Sequence, residues 1–144
     1  VRRDVLAMAG ALLVGSVVAA GSAVMVAAMF GAPREVLASL LPKSVTAAVA
    51  MAVSEGLGGI PALTAVLVIT TGILGAILVT PTMNALGIRD FAARGFSVGL
   101  ASHGIGTARA FAVDPVAGVF AGIAMGLNAL VTTLLAPLLA RWLL

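Results

Sequence analysis

Residues 101–109 carry ionisable and polar side chains inside a stretch of sequence that is otherwise apolar. The segment contains the only histidine of the chain, an arginine, two hydroxyl residues and two glycines: Ser102, His103, Gly104, Gly106, Thr107 and Arg109. At helical spacing Ser102, Gly106 and Arg109 share one face, and the histidine and the threonine lie beside it. An arginine can grip a carboxylate with two hydrogen bonds, and an imidazole can carry a proton near neutral pH. The pattern therefore predicts a site for a small carboxylate anion.

A structural interpretation of the same segment stays open. Arg109 can extend along the protein surface to the edge of a membrane, and a lone histidine such as His103 is commonly a hydrogen-bonded packing residue. Against this, a charged side chain at the centre of a bilayer costs about 2.5–3.5 kcal/mol on insertion scales. Such residues are retained where they face a cavity, a partner or a solute, so the concentration of polar groups favours a binding site.

A second polar interruption, residues 42–46, has the composition of a helix start. Its proline suits the first turn of a helix, and Ser44 and Thr46 can cap free backbone N–H groups. A helix N-terminus attracts anions, and Lys43 adds a full positive charge. These residues predict a second half of the anion site. The alternative is a capped helix whose lysine extends to the interface.

Other polar residues have two interpretations each. Asn128, Thr70 and Thr71 lie near the middle of long apolar segments, where they either line the site or form hydrogen bonds between helices. Glu55 and Asp114 adjoin turn signals, so each is a candidate for ion or proton coupling or, alternatively, for a solvated loop position or a helix cap.

Three glycines recur every fourth residue, at Gly118, Gly122 and Gly126. Small residues at this spacing allow two membrane helices to approach closely. The stripe predicts a helix-packing face, directed at another helix or at a second copy of the chain. We therefore expect a homo-oligomer.

Composition places the chain in a lipid bilayer. Of its 144 residues, 62% are hydrophobic and 9% are charged, and the mean hydropathy is +1.24. A soluble domain carries roughly 25% charged residues. The net charge of +3 comes without a basic cluster or an aromatic platform, which argues against nucleic acid as a partner. With no cysteine, one histidine and scattered carboxylates, we expect neither a metal site nor a cofactor.

Hydrophobic segments divide the chain into five parts of one membrane domain, residues 1–144. The three long segments, each above the roughly 20 residues that a spanning helix needs, are 5–30, 60–86 and 115–144. The two interrupted segments are 36–55 and 95–113. The first run exceeds the roughly 7–15-residue core of a signal peptide. We predict an all-α integral membrane fold with three transmembrane helices and two broken or re-entrant helices.

A weak internal repeat follows the first span. In each copy a short polar segment leads to an acidic residue, a proline and a long apolar helix with a proline in its last third. The repeat is inverted if both broken segments re-enter. In that topology Arg2, Arg3, Arg89 and Arg94 lie on one side, and Arg34 and Arg141 on the other. The positive-inside rule favours this arrangement over two full crossings.

Several motifs, in order, resemble the LrgB/CidB family over nearly the whole chain. They are LPKSVT at 41–46, GGIPALTAV at 58–66, TGILGA at 71–76, ARG at 93–95, ASHGIGTARA at 101–110 and AMGLN at 124–128. Family members are bacterial inner-membrane proteins described as holin-like or antiholin-like modulators of murein hydrolase activity. They are longer at the N-terminus, so this chain resembles their C-terminal part.

The resemblance also implies transport. A plant relative in the chloroplast envelope carries glycolate and glycerate, and bacterial relatives are implicated in pyruvate uptake. It implies a small LrgA/CidA-type membrane partner and no enzyme activity. We therefore expect a carrier of small monocarboxylates with Lys43, Ser44, Thr46, Ser102, His103, Thr107, Arg109 and Asn128 at its site. The alternatives are a holin-like protein that oligomerises through the glycine stripe and alters autolysis, and an ion-coupled antiporter.

Overall fold

A computed structural model describes the backbone of residues 2–144 and the side chains from residue 5 onward. Helices form 85% of the chain, and no strand occurs among the described residues. The helices are α1 (Arg2–Met29), α2 (Arg34–Leu40), α3 (Ala47–Gly56), α4 (Pro61–Ala85), α5 (Phe91–Val113) and α6 (Pro115–Leu143). The predicted all-α class is confirmed.

Helices α1, α4 and α6 are long and apolar enough to cross a bilayer. Their apolar stretches are Val5–Met29, Pro61–Ala85 and Pro115–Leu143, of 25, 25 and 29 residues. At 1.5 Å per residue each exceeds the roughly 30 Å of a hydrocarbon core. Large apolar side chains remain exposed along all three, as expected for helices that contact lipid. The prediction of three helices able to span is confirmed.

Local sequence sets several helix ends. Asp90 and Asp114 cap α5 and α6: the Asp90 carboxylate accepts from the N–H of Ala93 at 2.7 Å, and that of Asp114 from the N–H of Val116 at 2.8 Å. Proline stands in the first turn of α4 and of α6, where its missing N–H costs nothing.

The two predicted interruptions are breaks in the helical backbone. Residues 41–46, here called the first tip, form turns between α2 and α3. Within α5 the backbone leaves helical geometry at Ser102 (φ −132°, ψ 17°) and His103 (φ 43°, ψ −136°), here called the second tip. The second tip divides α5 into a first arm, residues 91–101, and a second arm, residues 104–113.

Helices α2 and α3 fold back on each other around the first tip and form the first hairpin. Leu37 and Leu41 belong to a buried cluster against which Val53 and Leu57 pack. The N–H of Ile60, shortly after α3, donates to Ser39 Oγ of α2 at 2.7 Å, so the chain returns beside α2 at the end of α3. The beginning of α2 meets the end of α6, where Arg34 Nη1 donates to the carbonyl of Leu144 at 2.9 Å.

The two arms of α5 form the second hairpin in the same way. Val98 of the first arm packs with Ala110 of the second, and Phe91 and Val113 line one groove. This hairpin starts and ends beside the beginning of α6, because Ala117 joins both groups of residues. The two hairpins therefore point toward each other from opposite ends of the bundle.

Helix α6 packs through a stripe of small residues. Its buried residues include Ala117, Ala121 and Ala124, and its backbone lies against Gly95 and Gly99 of α5. A methyl group on either of these α5 glycines would collide with the carbonyl oxygen of Ala117 or Ala121. Close approach of the two backbones therefore depends on both helices having small residues there.

The predicted glycine stripe occupies a neighbouring row of the same helix. A methyl group on Gly118 would collide with the ring of Phe111. Around Gly122 and Gly126, apart from the adjoining residues and the backbone of the same helical turns, no described atom lies within 4 Å of the position that a methyl group would take. Of the three glycines, only Gly118 packs closely within the described part of the chain.

Candidate functional site

The side chain of Asn128 connects both tips at the middle of α6. Its amide nitrogen donates to the carbonyl of Leu100, next to the second tip, at 2.9 Å and to that of Ser44, in the first tip, at 3.4 Å. Its oxygen accepts from Ser16 Oγ at 2.7 Å and from Thr132 Oγ1 at 3.1 Å. All the hydrogen-bonding capacity of the amide is thereby used. Of its two predicted roles, the structure places Asn128 in hydrogen bonds between helices.

The first tip contains a lysine four residues before the start of α3. Lys43 is half-buried, and its ammonium donates to Ser44 Oγ at 3.3 Å. Thr46 is the N-cap of α3, but its side chain makes no capping hydrogen bond. The first N–H groups of α3 therefore keep their partial positive charge close to the lysine. The helix expected within residues 42–46 begins at Ala47 instead, because Pro42 belongs to the preceding turn.

The acidic residues stand at helix ends, whereas the lysine stands in the first tip. The carboxylates that the structure describes all belong to residues at or near helix ends: Glu35, Glu55, Asp90 and Asp114. Asp114 caps α6, and Glu55 is exposed near the end of α3. Neither reaches the tips, so their positions lend no support to ion coupling at the candidate site. The tips combine a lysine with helix dipoles and hydroxyl groups, which suits an anion.

The second tip is pressed against α4. The imidazole Nε2 of His103 donates to the carbonyl of Val68 at 2.8 Å, and Thr107 Oγ1 donates to the carbonyl of His103 at 2.8 Å. Two glycines of α4 make this approach possible. A methyl group on Gly72 would lie 2.6 Å from His103 Cε1, and one on Gly75 would collide with Ser102 Oγ.

The backbone of His103 is strained. Its φ of 43° is the one positive value found at a non-glycine residue in the described chain. Such conformations cost of order 1–3 kcal/mol and persist where the surroundings impose them. Here the imidazole bond to Val68 and the turn between the two arms impose it.

Because of this strain, we expect glycine in place of His103 to destabilise the protein less than alanine does, although glycine is normally the less stable residue in a helix. Both His103→Ala and His103→Gly remove the bond to Val68, but only glycine adopts this backbone without a steric penalty. We expect His103→Ala to be less stable than His103→Gly by about 1–3 kcal/mol. Thermal unfolding of the two purified variants in detergent measures the difference. Equal stability, or the reverse order, would show that the backbone at this residue is relaxed.

Arg109 does not join the tips. It lies six residues beyond His103, which is about 9 Å along a helix, and its side chain is exposed. It lines a groove with Arg94 near the ends of the second hairpin. Of the predicted common face, Arg109 is separated from Ser102 because the backbone turns between them. Gly106 does lie against the serine, since a methyl group on it would be 2.6 Å from Ser102 Cβ.

The remaining predicted residues take mixed positions. Gly106 lies inside the second hairpin, where a methyl group would be 2.8 Å from Val98 Cγ2. A methyl group on Gly104 would lie 4.0 Å from Met125 Sδ, which is an ordinary van der Waals distance. Thr70 is exposed and bonds only within its own helix, to the carbonyl of Val66. Among the predicted site residues, hydrogen bonds join Lys43 to Ser44, Asn128 to Ser44 and Thr107 to His103, whereas Arg109 lies apart in its groove.

Sequence reasoning missed Ser16 and the two α4 glycines. Ser16 is one of two serines in the first apolar span, and the single proton of its hydroxyl is shared between two acceptors, the carbonyl of Leu12 at 2.6 Å and the Asn128 oxygen at 2.7 Å. The only signal was a polar residue in an apolar run. Gly72 and Gly75 were visible within a motif, but their role as a seat for the second tip needs the packed structure.

Comparison with known proteins agrees with the resemblance found in the motifs. The profile of the LrgB-like family matches residues 1–142. The "Holin-like protein CidB" of Staphylococcus epidermidis is 40% identical over 111 residues, which are 77% of this chain and 48% of that protein. The Staphylococcus aureus protein of the same name is 40% identical over 110 residues, 76% of this chain and 48% of that protein.

A Haemophilus influenzae relative named "Uncharacterized protein" is 38% identical over 126 residues, which are 88% of this chain and 54% of that protein. The chain thus spans about half the length of the curated relatives it matches. No solved structure matches it. With three helices able to span a bilayer and a family profile that covers nearly all its residues, the chain belongs to the LrgB-like family of multi-pass membrane proteins.

Proposed function

We propose that this chain forms the solute-binding part of a carrier for small monocarboxylate anions of the glycolate, glycerate or pyruvate type. The observation that carries the proposal is the position of Asn128 at the middle of α6. Its amide bonds to Ser44 of the first tip, beside the only lysine of the chain, and to Leu100, two residues before the second tip. Broken helices that meet near the bilayer midplane are how many secondary transporters build their substrate sites. No bond is made or broken in such a function, so we propose no enzyme activity.

The proposed membrane topology has the two hairpins entering from opposite faces. Each hairpin begins and ends at one end of the bundle, which supports re-entry rather than crossing. The end that holds both ends of α5 also holds Arg89 and Arg94, so we place it in the cytoplasm. The two halves are then related as an inverted repeat, and the membrane is the inner membrane of a bacterium.

The anion would bind where positive electrostatic potential collects. Lys43 and the uncapped start of α3 supply charge from the first hairpin, and Ser44 supplies a hydroxyl. The second hairpin offers Ser102 and the N–H groups at the start of its second arm, around Gly104 and Gly106. Movement of one hairpin against the other would expose the anion alternately to the two sides.

The test is uptake of labelled glycolate and pyruvate into proteoliposomes that contain the whole polypeptide. We expect saturable uptake, and we expect Lys43→Gln to raise KM at least about tenfold, since removing a charged partner of a buried anion costs about 1.5–3 kcal/mol. Arg89→Gln, which removes an exposed charge outside the tips, is the matched control and should resemble the unmodified protein. Uptake by Lys43→Gln with an unchanged KM would reject the anion site.

A second candidate function is a holin-like role, which the name of the Staphylococcus relatives, "Holin-like protein CidB", favours. In this alternative the chain assembles with itself or with an LrgA/CidA-type partner and changes membrane permeability, which in turn modulates murein hydrolase activity. Gly122 and Gly126 offer an open face for such assembly. The same liposomes decide between the candidates: unselective release of a small dye, insensitive to Lys43→Gln, supports the holin-like role.

A further inference from the structure

A groove at the basic end of the bundle combines apolar walls with two arginines. It runs between the last third of α4, both arms of α5 and the first turn of α6. Its apolar walls include Val79, Met83, Val98 and Val113. Arg94 and Arg109 are the charged residues that line it, and no carboxylate from the described residues does so.

The two arginines lie at similar depths below the end of the second hairpin. Arg94 is three residues from the first residue of α5, or about 4.5 Å, and Arg109 is four residues from the last, or about 6 Å. Long basic side chains at such positions extend toward the interface and keep their charge at the level of the lipid headgroups. The two arginines line the same groove, one from each arm.

Arg94 is held in place by the protein. Its Nε donates to the carbonyl of Ile88 at 2.7 Å, and its Nη2 donates to Asn84 Oδ1 at 2.5 Å. The two carboxylates at this end that belong to α5 and α6, Asp90 and Asp114, are occupied in capping helix starts. Among the side chains that the structure describes, no carboxylate neutralises the positive charge of the groove, which is open to an anionic ligand.

We propose that this groove binds an anionic glycerophospholipid of the leaflet at the basic end, with its phosphate between Arg94 and Arg109. The acyl chain lies along the apolar walls, which face the hydrocarbon. Charge complementarity selects this occupant, since basic pockets between helices on the cytoplasmic side bind anionic headgroups. Arginine pairs also suit phosphate because each guanidinium can donate two parallel hydrogen bonds. The proposal does not depend on the solute that the tips bind.

The experiment measures lipid binding by the whole polypeptide after purification in a mild detergent and removal of lipid. Phosphatidylglycerol, phosphatidylcholine and soluble glycerol 3-phosphate are added separately, and the melting temperature and the lipid-bound mass are recorded. We expect phosphatidylglycerol to bind and raise the melting temperature, and the other two to have little effect. Arg109→Gln should weaken phosphatidylglycerol binding about five- to tenfold, as about 1 kcal/mol or more per basic residue implies.

Two further variants make the result specific. Arg109→Lys keeps the charge and should retain most of the binding, whereas Arg89→Gln removes an exposed charge that does not line the groove and should leave binding unchanged. Equal binding of phosphatidylglycerol by Arg109→Gln and the unmodified protein would overturn the proposal. It would also be overturned if glycerol 3-phosphate alone stabilised the protein as well as the lipid does.

Discussion

Replacing Asn128 with leucine is expected to lower the free energy of unfolding by about 2–4 kcal/mol. The substitution removes four hydrogen bonds from one fully buried amide. Two of the groups left behind are the carbonyls of Ser44 and Leu100, which lie in or beside helix breaks. A buried carbonyl left without a donor costs about 1–3 kcal/mol, although hydrogen bonds between membrane helices average only about 0.6 kcal/mol each.

Unfolding in mixed detergent micelles measures this loss. Thr133→Val is the matched control, because the Thr133 hydroxyl is exposed and donates only to the carbonyl of Ala129 in its own helix. Ser16→Ala removes one of the four bonds and should fall between the two, at about 0.5–1 kcal/mol. If Asn128→Leu were no less stable than Thr133→Val, the tips would be held by packing alone.

A second measurement, the rate of protease cleavage, tests whether the tips move apart in a protein that is still folded. Because one amide nitrogen joins the first tip to Leu100, two residues before the second tip, its loss should let the tips move apart even where the bundle stays folded. At a temperature well below unfolding, protease cleavage within residues 41–46 should become faster in Asn128→Leu. The same rate in Thr133→Val and the unmodified protein would tie the change to the tips.

The sequence was sufficient to predict the spans and the breaks. Three apolar runs longer than a bilayer core admit few alternatives to spanning helices, because every backbone polar group in lipid needs a partner. The breaks were predictable because proline, lysine and histidine interrupt apolar runs at residues 42–43 and 103. Helix bounds followed from local chemistry, such as the aspartate that caps α6 before Pro115.

The arrangement of the second tip could not be predicted in the same way. Helical spacing placed Ser102 and Arg109 on one face, but that argument assumes a continuous helix. The positive φ of His103 reverses the chain between them. The reversal depends on a bond to the carbonyl of Val68 and on space above Gly72, both supplied by a helix distant in sequence. Periodicity within one segment contains no information about either.

The packing of α6 illustrates a related limit. Its glycines at Gly118, Gly122 and Gly126 and the α5 pair Gly95 and Gly99 show the same spacing of four residues. Spacing identifies a row of small residues without saying which neighbour the row faces. In the structure the α5 pair lies against the α6 backbone, and only the first of the α6 glycines is enclosed.

Gly99→Ala is therefore expected to destabilise the protein by about 2–3 kcal/mol, although it adds a single methyl group. That methyl group would collide with the carbonyl oxygen of Ala121, which belongs to helix backbone and cannot rotate away as a side chain could. The first arm of α5 must then move off α6. Since Leu100 follows directly, its carbonyl would be drawn away from the Asn128 amide. Unfolding in mixed micelles again gives the free-energy change.

Gly122→Ala provides a control with the opposite expected sign. It makes the same chemical change in a helix of the same bundle. Apart from the adjoining residues and the backbone of the same helical turns, no described atom lies within 4 Å of the added methyl group. Alanine is favoured over glycine in a helix by about 1 kcal/mol, so this variant should be as stable as the unmodified protein or more so. Opposite signs would show that the fold depends on close approach of the second hairpin to α6. If both substitutions changed stability in the same direction, helix propensity would be the dominant effect, and the contact between Gly99 and Ala121 would be looser than the structure places it.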